Sequence, residues 1–213
     1  VGGECGALAS GDLSRFTLNG KWNRDLGPNE KKCFLSHEAC WEKIAHAQSP
    51  GLILEDDASL PYGFSAILKR ITTELSDFLE NPVRRGAGVF VRLGRGSTAI
   101  LKPAGTSVGG CLAFGGFETG SWAYILTPRA AQMLIEVSSK GALSWPVDHF
   151  ATPPPLPRDP HKGEDRLPDD YILLEVDSSL MQPLKFRYSL PSDGGRNLIV
   201  QELSTDMKNS RSS

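Results

Sequence analysis

"GLILEDDASL", residues 51–60, is the stretch on which the reading of this chain turns. A short apolar run bounded by the turn residues Pro50 and Gly51 has the length and composition of a strand buried on both faces. It ends in three consecutive carboxylates, Glu55, Asp56 and Asp57, which repel one another and therefore need a reason to be adjacent. Two readings stand side by side: a solvated acidic turn that caps the next helix, or a seat for a cation. In open α/β sheets ligands bind beyond the carboxyl ends of strands, and clustered carboxylates there suit hard ions such as Mg²⁺, Mn²⁺ or Ca²⁺. Side chains alternate along extended backbone, so Glu55 and Asp57 face one way and Asp56 the other.

Outward from that strand the period changes. Upstream, "GPNEKKCFLSHEACWEKIAHA" reads as a helix that Asn29 can cap, with Cys33, Phe34, His37, Cys40, Trp41 and Ile44 on one 3.6-period stripe. Downstream, "YGFSAILKRITTELSDFLE" is a second amphipathic helix closed by Asn81-Pro82. "GVFVRLG" is another strand, followed by a Gly-rich surface loop over 94–110 and a short strand, "CLAF". "SWAYILTPRAAQMLIEV" switches from strand to helix, with Thr127 as N-cap and Pro128 at the first helical position. "YILLEV" is a last strand, after a Pro-rich, charged connector. The first 26 residues read as irregular, with "FTLNGKW" a short hairpin. This order predicts an α/β sheet flanked by helices in one domain over 1–190, with a polar tail over 191–213.

The totals agree with a globular chain. Of 213 residues, 39% are hydrophobic and 23% charged, and a net charge of −2 argues against a nucleic-acid binder. No stretch of 18 apolar residues is present to span a bilayer. "VGGECGALAS" has neither an initiator Met nor the order of a signal peptide, which reads as a trimmed or fragmentary start and, taken as it stands, as a cytoplasmic chain. Cys5, Cys33, Cys40 and Cys111 form no CxxC pair and read as free thiols.

Five collinear segments, "EKKCFLSHEACWEKI", "LILEDDASL", "VFVRLG", "GSWAYILTPRAAQMLI" and "WPVDHF", resemble glycosyltransferase family 25, from about Gly27 to Phe150. That family includes lipooligosaccharide galactosyltransferases and collagen galactosyltransferases. The resemblance implies a GT-A-like, Rossmann-related fold, a UDP-sugar donor (often UDP-galactose), a glycan acceptor such as lipopolysaccharide, a divalent ion (Mn²⁺, with Mg²⁺ as the substitute) and inversion at the anomeric carbon. It also implies work at the inner face of the bacterial inner membrane, touched through the acceptor. The first β-α unit of the family pattern is absent or atypical here, since nothing before Gly27 resembles it.

In that frame the EDD triplet resembles the family's metal-diphosphate element, with Asp57 the first ligand, Glu55 beside it, and Asp56 or Glu55 on ribose. His149 is a third candidate ligand. In-line attack needs a carboxylate to take the acceptor proton; Asp148 is the choice for it, with Glu164 and Asp165 as rivals. Ser36 and His37 match the family's "LSH", though a histidine on an apolar stripe is as well explained as a satisfied core residue. Arg92 at a strand end suits a phosphate or, more simply, a neighbouring carboxylate. Trp41 and Trp122 read as core, whereas Trp145 is placed to stack on a sugar. Asp148 has its own plain reading as a helix cap. The competing functional class is a non-catalytic glycan- or partner-binding module; metal-dependent hydrolysis ranks last, because no second ligand cluster accompanies the triplet.

Overall fold

The computed structural model describes residues 2–4, 13–16, 25–55, 58, 60, 62–93, 108–115, 123–140, 143–152, 167–176 and 198–202. In chain order these form β1 (Gly2–Glu4), a 3-10 turn (Leu13–Arg15), α1 (Pro28–Ala45), β2 (Gly51–Glu55), α2 (Phe64–Glu80) and β3 (Gly88–Arg92). Then follow β4 (Leu112–Phe114), β5 (Ala123–Leu126), α3 (Pro128–Lys140), α4 (Val147–Ala151), β6 (Tyr171–Val176) and β7 (Leu198–Glu202).

The strands make one mixed seven-stranded sheet in the order β1-β7-β2-β5-β3-β6-β4. β5 runs antiparallel to both β2 and β3, and β3 runs parallel to β6. β2, β3 and β6 therefore point their carboxyl ends to the same edge, as a Rossmann-like α/β arrangement requires of a ligand-binding edge. The fold class read from the sequence holds, and all five residues of β2 and of β3 are buried.

Alternation along the strands divides the core in two. Ile53, Phe90, Tyr124 and Leu126 pack with α1, α3 and α4 on one face. Leu52, Leu54, Val89, Val91 and Ile125 pack with Ile71, Leu75 and Phe78 of α2 on the other. Thr127 closes the β5–α3 joint as expected, its Oγ1 accepting the Val89 N–H at 2.9 Å and the Ala130 N–H at 3.3 Å. Arg15 donates to both oxygens of Glu38 at 2.8 Å, and Ser138 Oγ donates to Glu38 Oε1 at 2.7 Å, joining the 3-10 turn, α1 and α3 through one carboxylate.

Three local expectations are corrected. Gly27, not Asn29, caps α1: Pro28 takes the first helical position and the Glu30 carboxylate accepts the Gly27 N–H at 2.8 Å. Within the expected polar tail, Leu198–Glu202 forms β7, which pairs with β2 along five residues because the buried strand needs a partner on that side. Gly2–Glu4, read as irregular, forms edge strand β1 against β7. The expected hairpin falls mainly on 17–24, outside the described residues.

Two glycines bring helices close to the sheet. A Cβ at Gly51 would collide with the Ile44 side chain of α1, and one at Gly88 would lie 2.5 Å from Met133 Sδ and 2.9 Å from Ala130 Cα. The Ala130 neighbour is backbone and cannot rotate away. Gly88→Ala is therefore expected to destabilise the protein by about 1–3 kcal/mol through overpacking; urea denaturation measures it, and an unchanged midpoint would show that α3 is free to shift.

Candidate functional site

The edge to which β2, β3 and β6 point carries polar residues on the α1/α3/α4 face. Glu55 ends β2 and Arg92 ends β3; Glu175 of β6 stands opposite Arg92 in the parallel ladder, and Tyr124 of β5 stands opposite it on the other side. All four are buried: Glu55 is 3% exposed, Arg92 2%, Glu175 4% and Tyr124 1%. Carboxylates and a guanidinium so far from water must neutralise one another or a ligand.

Above them lies α1. His37 is fully buried and stacks on the Tyr124 ring, centroids 5.7 Å apart at 13°. Its Nδ1 is 2.7 Å from the Tyr124 hydroxyl, which also accepts the Trp41 Nε1–H at 2.9 Å. Burial holds the Tyr124 phenol far above its ordinary range, so it remains a hydroxyl. Its two lone pairs and one proton are what the two neighbours require.

His37 Nε2 points the other way, 3.8 Å from Glu55 Oε1. That nitrogen has no hydrogen-bond partner among the described residues. Burial works against a charge on His37, but the Cys33 and Glu55 side chains beside it reverse the balance and push its pKa up to about 9. Cys33, one helical turn before His37, completes a group whose donor atoms all lie within 4.8 Å of one another.

The remaining expected residues fall on both sides of the question. Ser36 is buried within α1. Trp145 is half-buried and stacks on His149 at 6.2 Å and 25° rather than standing open to solvent. His149 is buried, its pKa lowered by desolvation with Asp148 opposing. It is not part of the Cys33–His37–Glu55 group. Asp148 lies half-buried in the first turn of α4, its Oδ1 accepting the His149 N–H at 3.0 Å; Pro146 is the N-cap, so Asp148 does not cap the helix. Trp41 is core, in edge contact with Phe34 and stacked on Phe150. Cys33, Cys40 and Cys111 are free thiols. Asp56, Asp57, Trp122, Glu164, Asp165 and Cys5 lie outside the described residues.

Mn²⁺ would need mostly oxygen ligands. The expectation of that ion rests on Asp57 with its neighbour Asp56, both outside the described residues; the described part of the triplet, Glu55, stands beside a thiol and an imidazole. Sequence reasoning passed over Tyr124, Glu175 and Cys33. A carboxylate inside the apolar run "YILLEV" and a Cys/His pair four apart on one helix stripe were the available signals.

Tyr124→Phe keeps the ring and removes the hydroxyl that serves both Trp41 and His37. Leaving two buried ring nitrogens short of a partner is expected to cost about 2–4 kcal/mol; thermal and urea unfolding measure it, and a loss below about 0.5 kcal/mol would show that water replaces the hydroxyl.

Comparison with known proteins bears on one part of this architecture. Residues 11–93, about two fifths of the chain, match the model of glycosyltransferase family 25 (LPS biosynthesis protein). The matched segment holds α1, β2, α2 and β3, hence Cys33, Ser36, His37, Glu55 and Arg92; "WAYIL" and "WPVDHF" lie beyond it. No curated protein and no solved structure matches the chain. No helix among the described residues is long and apolar enough to cross a membrane. Over residues 11–93 the chain is therefore similar to glycosyltransferase family 25, a resemblance that supports glycosyltransferase activity with a role in lipopolysaccharide biosynthesis.

Proposed function

We propose that the protein transfers a sugar, galactose in the first instance, from a UDP-sugar to a lipopolysaccharide-type glycan with inversion at the anomeric carbon, on a GT-A-like scaffold. One observation carries this reading: within the segment similar to the family, the parallel strands β2 and β3 end in Glu55 and Arg92, on either side of β5 and on the same face of the sheet. Donor binding at that carboxyl edge follows the general rule for open α/β sheets. The site works on a membrane-borne acceptor at the cytoplasmic face without needing a membrane span of its own.

The chemistry asks for two things. Charge developing on the departing nucleoside diphosphate must be stabilised, and the acceptor hydroxyl must lose its proton as its oxygen attacks from the opposite face. Arg92, buried beneath the edge, supplies positive field from below. Asp148, on α4 over the same face, takes the acceptor proton while the C–O bond to the diphosphate breaks with its electron pair. Glu164 and Asp165 remain the alternative bases.

The test is transfer itself, with labelled UDP-sugars and lipopolysaccharide core acceptors. Asp148→Asn is expected to lower kcat by about 10²–10⁴-fold with donor affinity unchanged. A native rate in that variant moves the base elsewhere; absence of transfer from every nucleotide sugar overturns the reading.

A further inference from the structure

Cys33, His37 and Glu55 bring a thiol, an imidazole and a carboxylate around one point. His37 Nε2 and Glu55 Oε1 face each other at 3.8 Å, beyond hydrogen-bond reach, with both side chains buried. That separation does suit two ligands of one ion. Tetrahedral zinc has bonds of about 2.0–2.3 Å, which puts neighbouring donor atoms roughly 3.5 Å apart. Sγ of Cys33 belongs to the same cluster, all of whose donor atoms lie within 4.8 Å of one another.

Three further features fit an ion. Cys33 and His37 are four residues apart on α1, so both project from one helix face, toward the end of β2 where Glu55 sits. His37 is fully buried, and its Nε2 lacks a hydrogen-bond partner among the described residues. Its other nitrogen is fixed: with Nε2 on a metal, Nδ1–H donates to Tyr124 Oη, which Trp41 Nε1–H holds from the far side. Metal-bound histidines characteristically have their second ring nitrogen tied in this way.

We propose that Cys33, His37 and Glu55 form a site for a borderline divalent ion of the Zn²⁺ class. A thiolate, an imidazole and a carboxylate together select Zn²⁺, Co²⁺ or Fe²⁺ over Mg²⁺ or Mn²⁺. Three protein ligands leave a fourth position for water or a ligand oxygen. The site is separate in kind from an oxygen-only Mn²⁺ centre, and its existence does not depend on the transferase reading, because loading needs no sugar donor.

The experiment uses the whole chain, stripped with a chelator and reloaded with Zn²⁺ alone or Co²⁺ alone. One ion per chain is expected, with a thiolate-to-cobalt charge-transfer absorption that disappears in Cys33→Ser. Glu55→Gln weakens binding while keeping that absorption. Cys33 is half-buried, so its serine variant is expected to keep the native circular dichroism. Should it not fold, alkylation of the native chain decides: Zn²⁺ protects Cys33 from iodoacetamide, as mapped by mass spectrometry. No stoichiometric ion in the native chain, equal affinity in a folded Cys33→Ser, or Cys33 alkylation at the same rate with and without Zn²⁺ overturns the proposal.

Discussion

The hydroxyl of Tyr124 is the point at which sheet and helix are locked to each other. It stands on β5, between the two strands whose carboxyl ends define the candidate site, and it holds Trp41 and His37 of α1 through ring nitrogens 2.9 and 2.7 Å away. Buried polar groups are costly alone and directional together, so a single oxygen meeting two partners admits one helix orientation. The consequence reaches further than α1. Phe90 stacks on the same tyrosine at 4.5 Å, and Trp41 stacks on Phe150 of α4, so β3 and α4 take their places from the same centre.

That lock turns the histidine toward the end of β2. With Nδ1 committed to Tyr124, Nε2 can only look at Glu55 and Cys33, where an apolar strand gives way to acid. A protonated imidazole and an ion are two answers to one electrostatic problem, a buried carboxylate beside a thiol. The Cys33 and Glu55 side chains push the His37 pKa up against the opposing effect of burial. On the adjacent strands β3 and β6, the buried Arg92 and Glu175 occupy opposite positions in the ladder.

Much of this was legible in the chain, for identifiable reasons. α2 shows its period because one side packs on the sheet and the other is wet; β2 and β3 show as apolar runs because both faces are covered. The β5–α3 joint was visible in Thr127-Pro128, whose chemistry is local. β7 was not: "LIVQE" is short, set among polar residues, and its place beside β2 is decided by pairing 143 residues or more away in sequence. Nor was the site as a whole. Cys33 and His37 were on one stripe, and Glu55 ended an apparent strand, but only the crossing of α1 over β2 brings the three together. Tyr124 sat unnoticed in an apolar run, because a phenol among aliphatic residues reads as core until its partners are known.

The account stands on the carboxyl edge of β2, β3 and β6 being a nucleotide-sugar site, and calorimetric titration of UDP into the protein tests that most directly. Saturable 1:1 binding that weakens at least about tenfold in Arg92→Gln, with the fold intact, is the result it predicts. No heat of binding at millimolar UDP, or binding indifferent to Arg92, would contradict it and leave an α/β fold whose ligand is something else.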